Sequence, residues 1–352
     1  MKKVLFTLAA VAALAACNKD QVIDQKAPEA INFGNVFVEK ATRTAYSSSV
    51  DIEAFDVYGM IYNGTESSTI NIFSQELVSR VMGTNDIPSW TYSVANTQYW
   101  IPGNTYYFDA VVDGNVSVGS EVITKVTTDK DGMPFEIELS DASKQLDILY
   151  SYHNNEGITY TSGPRTVAFT FNHIMSKAKF TVTNAITTNN GYSYKVKGIK
   201  ITNAVKSSTY ACCNAGWRQP RVGVYTLEFG NAGTSFIKYG ESCESDNERL
   251  LIPTKKFAQG DDKEEETTIN VEFTCELYKD KVVNGSTVPS LVQTKTMTAS
   301  ATTSLKEGNA YNFVIALGNP GEPITFSVEN ITAWTTPATG VDTGNIAEKV
   351  EE

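Results

Sequence analysis

Two antiparallel β-sandwiches in series, an all-β architecture with almost no helix, are what this sequence predicts. Three observations carry that expectation. Short runs of alternating apolar and polar residues, such as Phe135-Glu136-Ile137-Glu138-Leu139, recur along the chain, and a period of two marks a half-buried strand. Turn-forming residues punctuate these runs, as at Asp131-Gly132 and Glu307-Gly308-Asn309. The 17 tyrosines and 16 phenylalanines, with dense Thr and Val, suit a pleated surface better than a helix. Many short strands between turn signals read as Greek-key sandwiches. A length of 352 residues suggests two domains, each large enough for its own core.

The N-terminus has a separate purpose. Lys2 and Lys3 precede a short apolar run from Val4 to Ala16, and small residues lead to Cys17. This reads as a secretion signal. At about 1.5 Å per residue the run is too short to cross a hydrocarbon core of roughly 30 Å. Leu14-Ala15-Ala16-Cys17 resembles a bacterial lipobox, in which the Cys17 thiol is acylated and becomes the new N-terminus. An ordinary cleavable signal with a chance cysteine is the plainer alternative. Several acyl chains on one cysteine would anchor stably, whereas one binds only marginally.

In chain order, Asn18-Lys19-Asp20-Gln21 is polar. It is similar to the charged signal after the lipidated cysteine in surface-exported lipoproteins of the Bacteroidetes. Ile31, Phe33, Val36, Phe37 and Val38 form an apolar cluster able to make a strand, and Ala41-Thr42-Arg43-Thr44-Ala45 follows. Phe55 through Tyr62 is β-branched and aromatic. Residues 75–82 read as one or two helical turns. Trp90-Thr91-Tyr92 and Tyr99-Trp100 bracket a turn. After Pro102-Gly103-Asn104, Tyr106, Phe108, Ala110 and Val112 alternate with polar or smaller neighbours, and Asp147-Ile148-Leu149-Tyr150 makes a further strand.

A polar stretch from His153 to Pro164 marks the expected domain boundary. Beyond it, Val167, Phe169 and Phe171 alternate, as do Ala178, Phe180 and Val182. Tyr194 and Val196 lead to Ile199 and Ile201 with a phase slip at Gly198, which suggests a β-bulge. Tyr225, Leu227 and Phe229 come next. Ile269, Val271, Phe273, Cys275 and Leu277 share one face, so Cys275 is expected to be a buried, inert thiol. The charges at 261–266 read as a solvated loop. Tyr311, Phe313, Ile315 and Leu317, then Ile324, Phe326 and Val328, complete the strands before Trp334 and a polar tail.

Composition limits function. A formal net charge of -11 without a basic patch speaks against nucleic-acid binding. No apolar run after the signal is long enough to span a bilayer. With only His153 and His173, a His-rich metal site is excluded. No zinc-protease, nucleophile-elbow or phosphate-loop motif is present, so no catalytic residue, cofactor or metal ligand is assigned. Of the remaining cysteines, Cys212 and Cys213 are neighbours. One of them pairing with Cys243 would close a loop of about 30 residues and add roughly 3 kcal/mol. Zinc is the alternative, but paired C-x-x-C spacing is missing.

In this order, Phe55-x-Val57-Tyr58-Gly59, Tyr99-Trp100 with Tyr106-x-Phe108-x-Ala110, Asp147-Ile148-Leu149-Tyr150, Phe169-x-Phe171-x-His173-x-x-Ser176-Lys177, Leu251-Ile252-Pro253, Gly308-x-x-Tyr311-x-Phe313 and Ile331-x-x-Trp334 resemble the blocks of the Bacteroidales fimbrillins, the Mfa-like subunits of type V pili. The match covers nearly the whole mature chain. It implies two transthyretin-like sandwiches and a non-enzymatic pilus subunit (stalk, tip or anchor). The precursor would travel to the outer membrane as a palmitoylated lipoprotein. An arginine-specific protease would cut after the first strand, and a neighbouring subunit's strand would fill the groove. The implied partners are other fimbrial subunits, the outer membrane before maturation, and host or bacterial surface ligands.

On that basis Arg43 is the expected cleavage site and Thr44 the mature N-terminus. An ordinary surface arginine is the competing reading. His173 is expected to be structural. The expected layout is signal 1–16, lipidated pro-segment with a removable strand 17–43, N-terminal sandwich 44–162, C-terminal sandwich 163–335 and tail 336–352. The tail has few apolar residues and contains Gly340 and Gly344, which makes it poor strand material. The competing function is a monomeric surface lipoprotein that binds glycans, with Tyr99 and Trp100 stacking on sugars. A secreted hydrolase with an Asp/Glu pair has no motif to support it.

Overall fold

The computed structural model describes residues 27–38, 52–62, 70–82, 88–112, 123–126, 135–139, 145, 147–151, 157–211, 216–217, 222–254 and 266–333. Regular structure among them is strand, apart from one 3-10 turn at Val94–Asn96. In chain order the strands are β1 (Asn32–Val38), β2 (Ala54–Tyr62), β3 (Ile70–Met82), β4 (Pro88–Thr91), β5 (Thr105–Val112), β6 (Ile123–Val126), β7 (Phe135–Glu138), β8 (Leu149–Ser151), β9 (Ile158–Thr159) and β10 (Thr166–His173). The second half contributes β11 (Ser176–Asn184), β12 (Tyr192–Ala211), β13 (Gly216–Trp217), β14 (Val222–Gly230), β15 (Ser242–Glu244), β16 (Arg249–Leu251), β17 (Thr267–Val283), β18 (Ser286–Thr303), β19 (Asn309–Leu317) and β20 (Thr325–Ala333).

They form three sheets. The first runs β1-β10-β8-β5-β2-β3-β4, with β9 on β5. It curls until its end strands, β1 and β4, meet, and it encloses Phe33, Phe55, Trp90, Trp100, Phe108, Phe169 and Phe171. The second (β15-β11-β19-β20, with β16 on β11) faces the third (β18-β17-β12-β7-β6, with β13 and β14 on β12). Phe180, Phe229, Phe273 and Phe313 fill the space between these two. A third cluster, with Tyr58, Tyr150, Met175, Tyr210 and Trp217, joins the two cores.

Alternation works as the physics requires. In β10, Val167, Phe169, Phe171 and His173 are buried while Thr166, Ala168, Thr170 and Asn172 are exposed. The expected bulge at Gly198 is present. The pairing of β12 with β17 skips between Lys197 and Lys200, Gly198 has φ +59°, and its N–H donates to Asn231 Oδ1 at 3.2 Å.

The structure departs from expectation in two places. Residues 75–82 are strand, the second part of β3, with no helical turn. Leu77, Val78, Val81 and Met82 mimic a helical stripe, yet only Val78 is buried and the other three are exposed. Gln75, at φ +63°, is the extra residue where the β2–β3 register slips between Val57 and Tyr58, and that slip hides the period of two. The sheets also do not divide at 162/163. β10 lies beyond that point yet belongs to the first sheet, whereas β6 and β7 lie before it and join the third. The chain leaves the first sheet at His173 and enters the second at Ser176. Within the polar stretch expected as a boundary, Ile158–Thr159 is β9, paired with β5 in the first sheet, and turn chemistry cannot distinguish such a break from a linker.

Candidate functional site

The segment that precedes Arg43 is built into the first sheet. β1 pairs with β10 in parallel, from Asn32 opposite Thr166 to Val38 opposite Phe171, and the register slips between Gly34 and Val36. On the other side the lead-in to β1 is stitched to the stretch before β5. Ile31 N–H donates to the Gln98 carbonyl and Trp100 N–H to the Glu29 carbonyl, each at 2.8 Å, and Ala30 bridges Tyr99 in antiparallel fashion. Tyr92 Oη donates to the Ile31 carbonyl at 2.8 Å. The segment therefore closes the curled sheet between β10 and the β4–β5 connection.

Its side chains complete the core. Ile31, Phe33 and Val36 are buried, whereas Phe37 is 54% exposed. The Phe33 ring lies between Phe73 and Tyr92, both at 5.4 Å, Phe169 at 5.8 Å and Phe108 at 6.1 Å. Without this segment β10 would lose its ladder partner on the side away from β8, and an aromatic-walled slot would open between β10 and the Gln98–Trp100 backbone. Unpaired strand edges of this kind readily accept another strand.

The other expected site residues are placed unevenly. Cys17, Arg43, Thr44, Cys212 and Cys213 lie outside the described residues, as do the signal 1–16 and the tail 336–352. Cys243, in β15, and Cys275, in β17, are free thiols. Burial pushes the Cys243 thiol up, and burial, with the nearby Glu276 charge second, pushes Cys275 up to about 12. A thiol with so little thiolate is inert at neutral pH. His173 is 3% exposed, and its Nδ1 lies 3.0 Å from Asp147 Oδ1. Next to it Trp217 Nε1 donates to the Ile174 carbonyl at 2.9 Å, and Gly308 N–H donates to the Met175 carbonyl at 2.9 Å. His173 thus stands, buried and paired with Asp147, where the two cores join.

Tyr92 was the residue that sequence reasoning missed. Only the Trp90-Thr91-Tyr92 and Tyr99-Trp100 bracket hinted at it. Trp100 is 3% exposed. It stacks on Tyr160 at 5.1 Å and meets Tyr106 edge-on at 4.6 Å, so it is not a surface platform beside the half-exposed Tyr99.

Residues 42–334 match a family model described as fimbrillin-like. No curated protein matches the chain. A solved fimbrial protein from Bacteroides vulgatus ATCC 8482 is similar, with a TM-score of 0.60 and 15% identity over 87% of this chain and 99% of that one. At that identity the likeness shows the fold alone. A candidate cell adhesion protein from Bacteroides uniformis ATCC 8492 aligns with a TM-score of 0.42 and 17% identity over 90% of this chain and 100% of that one.

Proposed function

The chain belongs to the fimbrillin-like family, and on that premise we propose that it is a structural subunit of a cell-surface fimbria assembled by donor-strand exchange. Cys17 carries the precursor's lipid and brings it to the outer membrane. Cleavage between Arg43 and Thr44 releases β1, and a strand from a neighbouring subunit takes its place. Other copies or other fimbrial subunits are the partners.

The observation that supports this reading is the place of β1. It precedes Arg43 and contributes both a ladder and buried side chains to the first sheet. A strand in that slot gains about 1 kcal/mol net per ladder bond and about 1.5–3 kcal/mol for each buried Ile, Phe or Val. A gross gain on the order of 10 kcal/mol, less ordering costs, is enough to hold a subunit. An incoming strand satisfies the edge and the apolar slot together, and a repeated head-to-tail contact grows into an open filament.

N-terminal sequencing of purified fibres tests the scheme and should return Thr44. A retained Cys17, or a start elsewhere, would refute the cleavage step. The competing glycan-binding reading loses half of its aromatic pair with the burial of Trp100. Fractionation separates the two readings: a fibre subunit appears as sheared, shortened, high-mass material, whereas a ligand-binding lipoprotein stays full-length with membranes.

A further inference from the structure

Two features of the second half of the chain fit each other and cannot meet within one molecule. The first is a knob. β12 accompanies β17 only as far as Tyr192 opposite Lys279. Beyond that point residues 280–283 pair with 286–289 alone, so the β17–β18 hairpin overhangs its sheet as a two-stranded tip. Asn284 at φ +52° and Gly285 at φ +80° close the tip, the two left-handed positions of a tight type I′ turn. Val282, Val283 and Val288 stand 75%, 50% and 41% exposed there. Three exposed valines on one rigid end form a patch, not a scatter of single surface residues.

The second is a hole at the base of the same hairpin. A cavity of about 290 Å³ opens between β17–β18 and the connection from β19 to β20. Cys275, Leu277, Met297 and Ile324 give it an apolar wall, and the exposed Gln293, Lys295 and Glu322 line its margin. Its origin is simple. Lys295 and Gln293 lie opposite Cys275 and Leu277 in the β17–β18 ladder, so they share the inward face. The facing sheet has ended there, because β19 stops at Leu317 and β20 starts at Thr325.

Charge matches the knob to the hole. Asp280 and Lys281 stand just behind the valines, and among the described residues neither makes an ion pair. The same holds for Lys295 at the cavity margin. The Glu322 carboxylate accepts from Asn319 N–H at 2.8 Å and from Asn319 Nδ2 at 2.9 Å, and no described cation neutralises it. An acid and a base on the tip thus face a base and an acid around the cavity.

We propose that the β17–β18 tip of one copy of this chain seats in the cavity of a second copy. Val282 and Val283 enter the apolar space, Asp280 meets Lys295, and Lys281 meets Glu322. A tip cannot serve its own cavity. Val283 lies eight positions beyond Cys275 on one continuous strand, roughly 27 Å away at about 3.4 Å per residue. The charges at the margin fix the orientation of entry, as complementary charges do at interfaces. This contact needs neither a cut at Arg43 nor the loss of β1, so it stands apart from strand exchange.

Sedimentation velocity of the uncut chain tests the contact, since strand exchange is closed to that form. The parent should associate as its concentration rises. Val282→Asp/Val283→Asp should weaken association at least about tenfold with the melting temperature unchanged, because both side chains are exposed. Asp280→Lys and Lys295→Asp should each weaken it about fivefold, and the two together should restore it to within about twofold of the parent. Gln293→Trp blocks the cavity but keeps the tip. It and the tip variant should each be monomeric alone, and their mixture should form a complex, because one supplies the knob and the other the hole.

A parent that stays monomeric up to about 1 mM would overturn the inference. So would association indifferent to the tip variant, a reversed charge pair no better than its single variants, or a mixture in which no complex forms. A small molecule found in the cavity instead, as added mass on the parent in native mass spectrometry that Gln293→Trp abolishes, would overturn it as well.

Discussion

The Tyr92 phenol donates a 2.8 Å hydrogen bond to the carbonyl of Ile31, 61 positions earlier in the chain. The same oxygen accepts from Gln98 N–H at 3.5 Å, and the Tyr92 ring packs edge-on against Phe73 at 5.3 Å. One side chain thus fastens the entry of the first strand to the far end of the curled sheet. Tyr92→Phe keeps the ring and removes the donor, so the chain should lose about 1 kcal/mol. The urea midpoint at pH 8 would fall with the slope unchanged, and the segment before Arg43 would be cleaved faster.

The same pair predicts an alkaline limit. Burial, as the largest cause, raises the Tyr92 phenol above its usual value, whereas in the unfolded chain it ionises near pH 10. A folded-state pKa raised in this way gives stability that is complete below pH 10 and lost as pH rises through the folded value. The stability difference between the parent chain and Tyr92→Phe should therefore hold through pH 9 and shrink above pH 10. A constant gap across that range, in paired urea titrations, would mean that the phenol proton contributes nothing.

Phe33 and Phe37 should behave in opposite ways although both are phenylalanines of β1. Phe33 is 4% exposed and ringed by aromatics, whereas Phe37 is 54% exposed. Phe33→Ala should cost about 3–5 kcal/mol through lost transfer energy and an unfilled cavity. Phe37→Ala should stay within about 0.5 kcal/mol. Thermal or urea unfolding of the full-length chain distinguishes them. Equal effects would show that β1 is not seated in the slot.

Much of this fold was legible because a period of two survives wherever one face is buried. Val167, Phe169 and Phe171, and the run from Ile269 to Leu277, could be read directly and lie as read. The bulge at Gly198 showed itself by a phase slip. Pairings were another matter, because β1 finds its partner β10 more than 100 residues along the chain and in parallel, and nothing local encodes that. Register slips at Gln75 and after Gly34 disguised one strand as a helix and concealed the inward spacing 31, 33, 36. Only the contact between position 34 and Thr166 shows that this slot favours glycine.

Cys275 should be a silent thiol in the native protein. It is 6% exposed, and its thiol is pushed up to about 12, so at pH 8 the thiolate fraction is on the order of 10⁻⁴. Iodoacetamide at pH 8 should leave Cys275 unmodified in folded protein and alkylate it fully in 6–8 M urea, by peptide mass mapping. The half-buried Cys243 is the internal comparison, since its smaller burial raises its thiol less. It should react slowly but measurably. Equal native labelling of both would contradict the inward face assigned to β17.

The His173–Asp147 pair yields the sharpest test of a structural role. Both residues are buried, with Nδ1 and Oδ1 3.0 Å apart, where the chain passes from the first sheet to the second. Removing the carboxylate by Asp147→Ala takes an acceptor away from a buried ring nitrogen and opens space beside it, at a cost of about 1–3 kcal/mol. Asp147→Asn keeps the volume and an acceptor oxygen, so it should recover most of that loss. If the pair holds the joint together, protection of the amides of Ile174 and Gly308 against hydrogen exchange should fall in Asp147→Ala before that of the Phe169 amide, deep in β10, does. Ile174 N–H donates to the Ile148 carbonyl at 3.3 Å and Gly308 N–H to the Met175 carbonyl at 2.9 Å, so both amides report on the passage itself. Uniform loss across the three amides would show that the pair contributes only to global stability, and no loss would show that its burial is incidental.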